Sequence, residues 1–304
     1  MTEDRVHAIG YQRIAAPGRR ASAIWPIART LVTLALKRRA TKLALILCLG
    51  VVVGHGIWLT VQLLSVRFAA ELGMRAGAFR LQDAVGNVQE VLASYLQIQF
   101  YFTTPAIAVV AGGAIADDRR AGAFELYFSR PLTRLSYGLG KIVGTAAVPL
   151  TTLFLATLIL WLAAVGIAPP HIRADLWSLA LPALVGAGLA TAVLTAGMVG
   201  MSALARRSTG VAVAFVALLL LGSAVAEGLA ESHQLWGGYL SPERDLRTLF
   251  DALLEPGASS FAGSILGGRA RVNPSVAGSA LALGLYIAAG LGALWAGIRR
   301  EVTS

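Results

Sequence analysis

Charge is scarce in this chain. Only 14% of its 304 residues are Asp, Glu, Lys or Arg, where a soluble domain carries about 25%. Too few charged side chains remain to cover a globule, which argues against a soluble enzyme. Cysteine is almost absent. The single Cys48 lies inside an apolar run, so there is neither a disulfide framework nor a cysteine metal cluster. Asp and Glu are missing from the interiors of the long apolar runs, and the four histidines are scattered. A Gly-x-x-x-x-Gly-Lys-Ser/Thr phosphate loop is lacking too. Gly138-Leu139-Gly140-Lys141 imitates its end, but the first glycine is missing at the required spacing and Ile142 replaces the Ser/Thr, so the chain itself is not expected to bind ATP that way. No secretory signal is read at Met1 to Gly10, which is polar and mixed in charge.

What is abundant is apolar residues, at 56% of the chain, with a mean hydropathy of +0.69. That excludes a solvated, disordered coil. The apolar residues fall in blocks of the length that crosses about 30 Å of hydrocarbon as a helix. Six such stretches lie near Leu43–Leu64, Tyr95–Ala116, Leu139–Ile167, Leu176–Ala205, Ser208–Ala230 and Ser275–Ile298. Each must be helical, because the bilayer interior offers no water to backbone groups. The expected fold is an all-α polytopic membrane protein. The third and fourth spans are long enough to tilt or kink and carry Pro149 and Pro182, and the second contains Pro105. The 33 glycines suit close helix packing.

Six spans put both termini on one side. That side holds 18 Lys/Arg against six Asp/Glu, and the opposite loops hold eight against ten. Basic loops stay cytoplasmic, so both termini are expected in the cytoplasm, with the chain in the cytoplasmic (inner) membrane. The net charge of +10 then reports topology and attraction to membrane lipids. No basic face with interleaved aromatics is present, so no nucleic-acid partner is expected.

Residues 1–21 lack periodicity and read as a flexible cytoplasmic tail. In residues 22–42, Ile24, Ile27, Leu31 and Leu34 form one helical stripe, and Arg29, Thr33 and Lys37 another. We read an interfacial amphipathic helix rather than a basic stop before the first span. Residues 43–304 form the six-span domain. Its last outer loop, about 231–274, contains a short amphipathic helix that opens at Ser241-Pro242 and closes at Pro256-Gly257, lying on the membrane or re-entering it.

The loop between the second and third spans carries the most information. It reads Asp117-Asp118-Arg119-Arg120-Ala121-Gly122-Ala123-Phe124-Glu125-Leu126-Tyr127-Phe128-Ser129-Arg130-Pro131, then Leu132-Thr133-Arg134. Acidic residues lead and basic ones trail, as a helix dipole favours. Ala121, Phe124 and Phe128 share a face, and Pro131 ends the helix. A short helix of about 117–131 with an aromatic face and a charged rim is either a docking surface or an interfacial helix. Asp117 and Asp118 are read as helix starters rather than a metal or acid–base site.

This stretch resembles the signature loop of the permeases of ABC type 2 exporters. The resemblance rests on Asp118, Arg119, Gly122, Phe124, Glu125, Ser129, Arg130, Pro131 and Arg134, followed by Gly140-Lys141. Ala123 stands where Thr is frequent, and Tyr127-Phe128 where Leu-Leu is common. It implies that the loop is a coupling helix seated in a groove of a separate ABC ATP-binding subunit. It further implies two such subunits carrying ATP and Mg, and a second permease copy or paralogue. On that reading Phe124 and Phe128 anchor the helix, Glu125 with Arg119 or Arg120 fixes its register, Arg130 belongs to the same motif, and Pro131 and Lys141 set its end and anchor the third span at the headgroups.

Two other groups stand out. Ala280, Gly284, Ala288, Gly292 and Ala296 recur every four residues in the last span. Such a ladder serves helix packing within one subunit, our first reading, or a dimer seam. His55, Gln97, Gln99, Thr103 and Thr104 give the first two spans polar positions that line a cavity or hold helices together. The expected function is the membrane-spanning permease subunit of an ATP-driven exporter, without a catalytic site of its own. It would work by alternating access on an amphipathic cargo. The alternatives are an ion-coupled secondary transporter, which normally places carboxylates deep in its spans, or an integral-membrane lipid-modifying enzyme.

Overall fold

An apolar run inside a bilayer must bond its own backbone groups, and the chain does so with helices throughout. The computed structural model describes residues 23–71, 81–124, 132–232, 235–255 and 275–303. Among them lie α1 (Ile24–Lys37), α2 (Arg39–Glu71), α3 (Leu81–Ala111), α4 (Ala116–Arg120), α5 (Arg134–Pro149), α6 (Ala156–Ile167), α7 (Arg173–Ser178), α8 (Ala180–Leu204), α9 (Ser208–Glu231), α10 (Pro242–Leu254) and α11 (Val276–Thr303). A π-helical stretch, Leu150–Leu155, joins α5 to α6. Six helical segments of the described residues are long and apolar enough to cross a membrane. They are α2, α3, α5 with α6, α8, α9 and α11, so the fold is an all-α polytopic membrane protein. The tail at residues 1–21 lies outside the described residues.

The bundle closes around α8, whose packing against α11 is the most extensive between any two helices. Small residues permit it. A Cβ on Gly200 would stand 2.6 Å from the Gly290 carbonyl oxygen, and one on Gly297 would stand 2.6 Å from that of Ala203. The two helices therefore touch backbone to backbone, which side chains forbid elsewhere. The Ala280–Ala296 ladder lies on another face of α11. All five of its residues are exposed, and a Cβ added to Gly284 or Gly292 would meet nothing within 4 Å. Packing within the subunit thus uses Gly290, Gly297, Leu283, Leu294 and Ile298 instead of the ladder.

The first helix also differs in register from the expected stripe. Its buried residues are Ala28, Leu31 and Ala35, whereas Leu34 is exposed. The reason is its partner. A Cβ on Gly140 of α5 would stand 2.8 Å from the Ile27 Cβ, and one on Gly144 would stand 3.1 Å from the Ala28 Cα. Two glycines one turn apart make a shallow seat that takes small residues, so α1 rests on the third span. It ends at Arg38, whose backbone is extended.

The third span departs from α geometry directly after Pro149. Proline has no N–H for the helical ladder, and its ring crowds the carbonyl four residues back. The π-helical stretch absorbs this strain. One of its carbonyls finds a side chain: the Tyr95 hydroxyl donates to the Thr152 carbonyl. The Thr191 hydroxyl, which donates to the Ala187 carbonyl at 2.8 Å, stands 3.4 Å from that of Pro149.

On the opposite side from the termini, α10 opens as the sequence predicts. The Ser241 side chain accepts from the Arg244 N–H at 3.3 Å, and Pro242 occupies the first turn. The helix ends at Glu255, which adopts φ 45°. Its buried face, Leu246, Leu249, Phe250 and Leu254, packs on the bundle, with Phe250 against Gly186 of α8.

The backbone contact between α8 and α11 carries a prediction. Gly290→Val should lower the thermal unfolding midpoint of the purified chain, at a cost of about 1–3 kcal/mol for overpacking. Gly284→Val on the same helix should leave that midpoint unchanged.

Candidate functional site

At the end of the bundle nearest the termini, the second span stops being a helix at Ala111 and turns through Gly112 to Ile115 before α4 begins. A helix start leaves backbone N–H groups without partners, and here they are buried. One side chain serves the break. The Ser202 hydroxyl, from the last turn of α8, accepts from the N–H of Ile115 at 3.0 Å and of Ala116 at 3.3 Å. It donates to the carbonyl of Gly112 at 3.1 Å. Arg119 adds a second tie, donating from its guanidinium to the Ala205 carbonyl at 3.0 Å.

The acidic start of α4 ties it to two further helices. The Asp118 carboxylate lies 2.6 Å from the Lys141 ammonium of α5 and accepts from the Tyr137 hydroxyl at 2.7 Å. Lys141 is buried and stands over the Tyr137 ring. It therefore pairs with Asp118, not with lipid headgroups as the sequence suggested. Asp117 lies 3.9 Å from Arg38 at the end of α1. Thus α4, five residues long, is fastened to α1, α5 and the α8–α9 turn.

Within the described part of 117–131 the expected helix is interrupted. α4 closes at Arg120, and Gly122 adopts φ +63°, a left-handed conformation that glycine takes without strain. Phe124 follows that turn. It is only 4% exposed and packs on Tyr137 with ring centroids 5.4 Å apart. Its ring therefore faces the protein, while Arg120, Ala121 and Gly122 form the exposed tip. Glu125, Phe128, Arg130 and Pro131 lie outside the described residues. Sequence spacing does not point to Ser202, Tyr137 or Arg38 as partners. The only hint of the first is its place as a lone hydroxyl just before Arg206-Arg207.

The polar positions of the first two spans are buried inside the subunit. His55 Nδ1 bonds the Val51 carbonyl at 2.9 Å, and its ring meets that of Tyr95 edge-on. Thr103 pairs with Thr152 at 3.0 Å, and Thr104 donates to the Phe100 carbonyl at 2.8 Å. Gln99 lies against Cys48. Gln97 donates to Asp251 of α10 at 3.2 Å. These contacts join α2, α3, the π-helical stretch and α10.

The helix α10 carries two acids, Asp251 in this seam and Asp245 beside Ser279 of α11. Asp245 is buried, and loss of water raises its carboxyl from 3.8 to about 6, against the pull of the Ser279 hydroxyl and the Arg244 guanidinium. Burial likewise raises Asp251, opposed by Arg247 and Gln97.

Residues 35–289 match the family described as "ABC-2 family transporter protein". The match covers the first five spans, α4, α10 and the first part of the sixth span. No curated protein matches the chain.

The tie at Ser202 and the burial of Asp245 can each be tested. Ser202→Ala leaves two buried N–H groups unbonded, at a cost of roughly 1–3 kcal/mol. Hydrogen exchange should show faster exchange at Ile115 and Ala116, with little change in the interior of α8. For Asp245 the readout is pH. In the window from 3.8 to about 6 the folded chain holds the Asp245 proton and the unfolded chain has released it, so stability falls as pH rises through that window. The unfolding midpoint should decline from pH 4 to pH 7, and Asp245→Asn should flatten the slope.

Proposed function

The chain belongs to the ABC-2 transporter family, and we propose that it is the membrane-spanning permease subunit of an ATP-driven exporter. The observation that carries this reading is the fastening of α4. A five-residue helix bonded to α1, α5 and the α8–α9 turn moves those elements when it is pushed. Force applied at its exposed tip, Arg120 to Gly122, is transmitted to the spans without bending a loop.

On this reading α4 and the turn after it dock on an ABC ATP-binding subunit, two copies of which hold ATP and Mg. The termini and α4 lie in the cytoplasm, as the basic residues of that side favour. Arg120 forms charge pairs in the partner's groove and sets register. Phe124 acts from within, keeping the turn seated on Tyr137. Glu125, Phe128, Arg130 and Pro131 continue the docking segment. The outward ladder of α11, from Ala280 to Ala296, allows close approach of a second permease copy. ATP-driven closure of the partner subunits moves α4, the spans re-pack, and an amphipathic cargo passes to the outer side.

The test is the interaction of the chain with a co-expressed ABC ATP-binding subunit. Arg120→Glu should weaken co-purification and lower ATP hydrolysis by the reconstituted complex several-fold, with the fold of the permease intact by its unfolding midpoint. Unchanged hydrolysis and retention in that variant would remove α4 from the docking role.

A further inference from the structure

The turn between the fourth and fifth spans holds a second site, independent of where the ATP-binding subunit docks. α8 ends at Leu204 and α9 begins at Ser208, so Arg206 and Arg207 lie where the hydrocarbon stops. Beside them opens a cleft of about 510 Å³ between the two helices. Met201 and Leu204 line one wall, and Val211 and Ala214 the other. From Arg207 to Ala214 the helical rise carries the cleft roughly 10 Å toward the membrane interior. Gly210 keeps the upper part open, since nothing lies within 4 Å of the place where its Cβ would be.

The charges at the mouth have one sign. No carboxylate lines the cleft, and the nearby Asp117 and Asp118 are engaged by Arg38, Lys141 and Tyr137. Among the described residues, no hydrogen bond or ion pair engages the Arg206 or Arg207 guanidinium, and both residues are exposed. Two guanidiniums at the mouth of an apolar slot form a site of amphipathic shape. A protein surface would satisfy the guanidiniums but not a slot that opens into hydrocarbon.

We infer that this cleft binds an anionic glycerophospholipid of the leaflet on the α4 side, with the phosphate on Arg206 and Arg207 and an acyl chain between α8 and α9. The bound lipid braces the Ala205 carbonyl that Arg119 holds, so leaflet composition tunes how firmly α4 is seated.

The experiment uses the full chain, purified in detergent and titrated with phosphatidylglycerol or phosphatidylcholine under native mass spectrometry. Phosphatidylglycerol should bind preferentially. In an R206Q/R207Q variant its binding should weaken roughly thirtyfold, as expected for losing two basic side chains at the surface. Gly210→Leu, which fills the slot and leaves the charge alone, should weaken it as well. Inorganic phosphate should not displace the lipid. Equal binding of both lipids, unchanged phosphatidylglycerol binding in R206Q/R207Q, or displacement by inorganic phosphate would each overturn the inference. So would an R206Q/R207Q chain that keeps the lipid but loses a co-expressed ATP-binding subunit, since the turn would then be a protein contact. Failure of α4 docking in the Arg120 test leaves this outcome untouched, and the reverse also holds.

Discussion

A peptide group in hydrocarbon has nothing to bond but other protein atoms, and each loose N–H or C=O costs several kcal/mol. The straight parts of the six spans meet this demand through their own ladders. Where a span leaves α geometry, a side chain from elsewhere has to be brought in. Ser202 serves the end of the second span. Tyr95 serves a carbonyl of the π-helical stretch after Pro149. Each irregularity is thereby converted into a tie between helices distant in sequence.

The fourth span gathers most of these ties. At one end it holds α4 through Ser202 and, just beyond its last turn, through Ala205. Along its length it meets α11 at Gly200. Toward the other end Gly186 receives Phe250 of α10. The short helix near the termini and the capping helix on the far side therefore rest on the same rod. One continuous helix, rather than a chain of loops, connects the two.

The spans are legible in the sequence because length and hydropathy alone decide what crosses a membrane, and α10 because Ser241-Pro242 is a local capping signal. The parts that are not legible depend on partners. The buried face of α1 includes Ala28 and Ala35, which look inert until Gly140 and Gly144 are known to lie opposite. The break at Gly122 needs a positive φ that the spacing of Phe124 and Phe128 does not reveal. Phe124 reads as an outward anchor because an aromatic in a charged loop suggests a surface, whereas Tyr137, thirteen positions on, turns it inward. The α11 ladder reads first as internal packing, yet the glycines that α8 meets, Gly290 and Gly297, are not in it. Periodicity finds a ridge but does not say which neighbour it faces.

The meeting of Gly200 with Gly290 also bears on biogenesis. α8 leaves the ribosome about ninety residues before its counterpart, counting between those two glycines. Until the last span is inserted, the glycine face of α8 can only be solvated by acyl chains, which cannot follow its backbone closely. The close backbone seat between the two helices can therefore form only once the sixth span has been made.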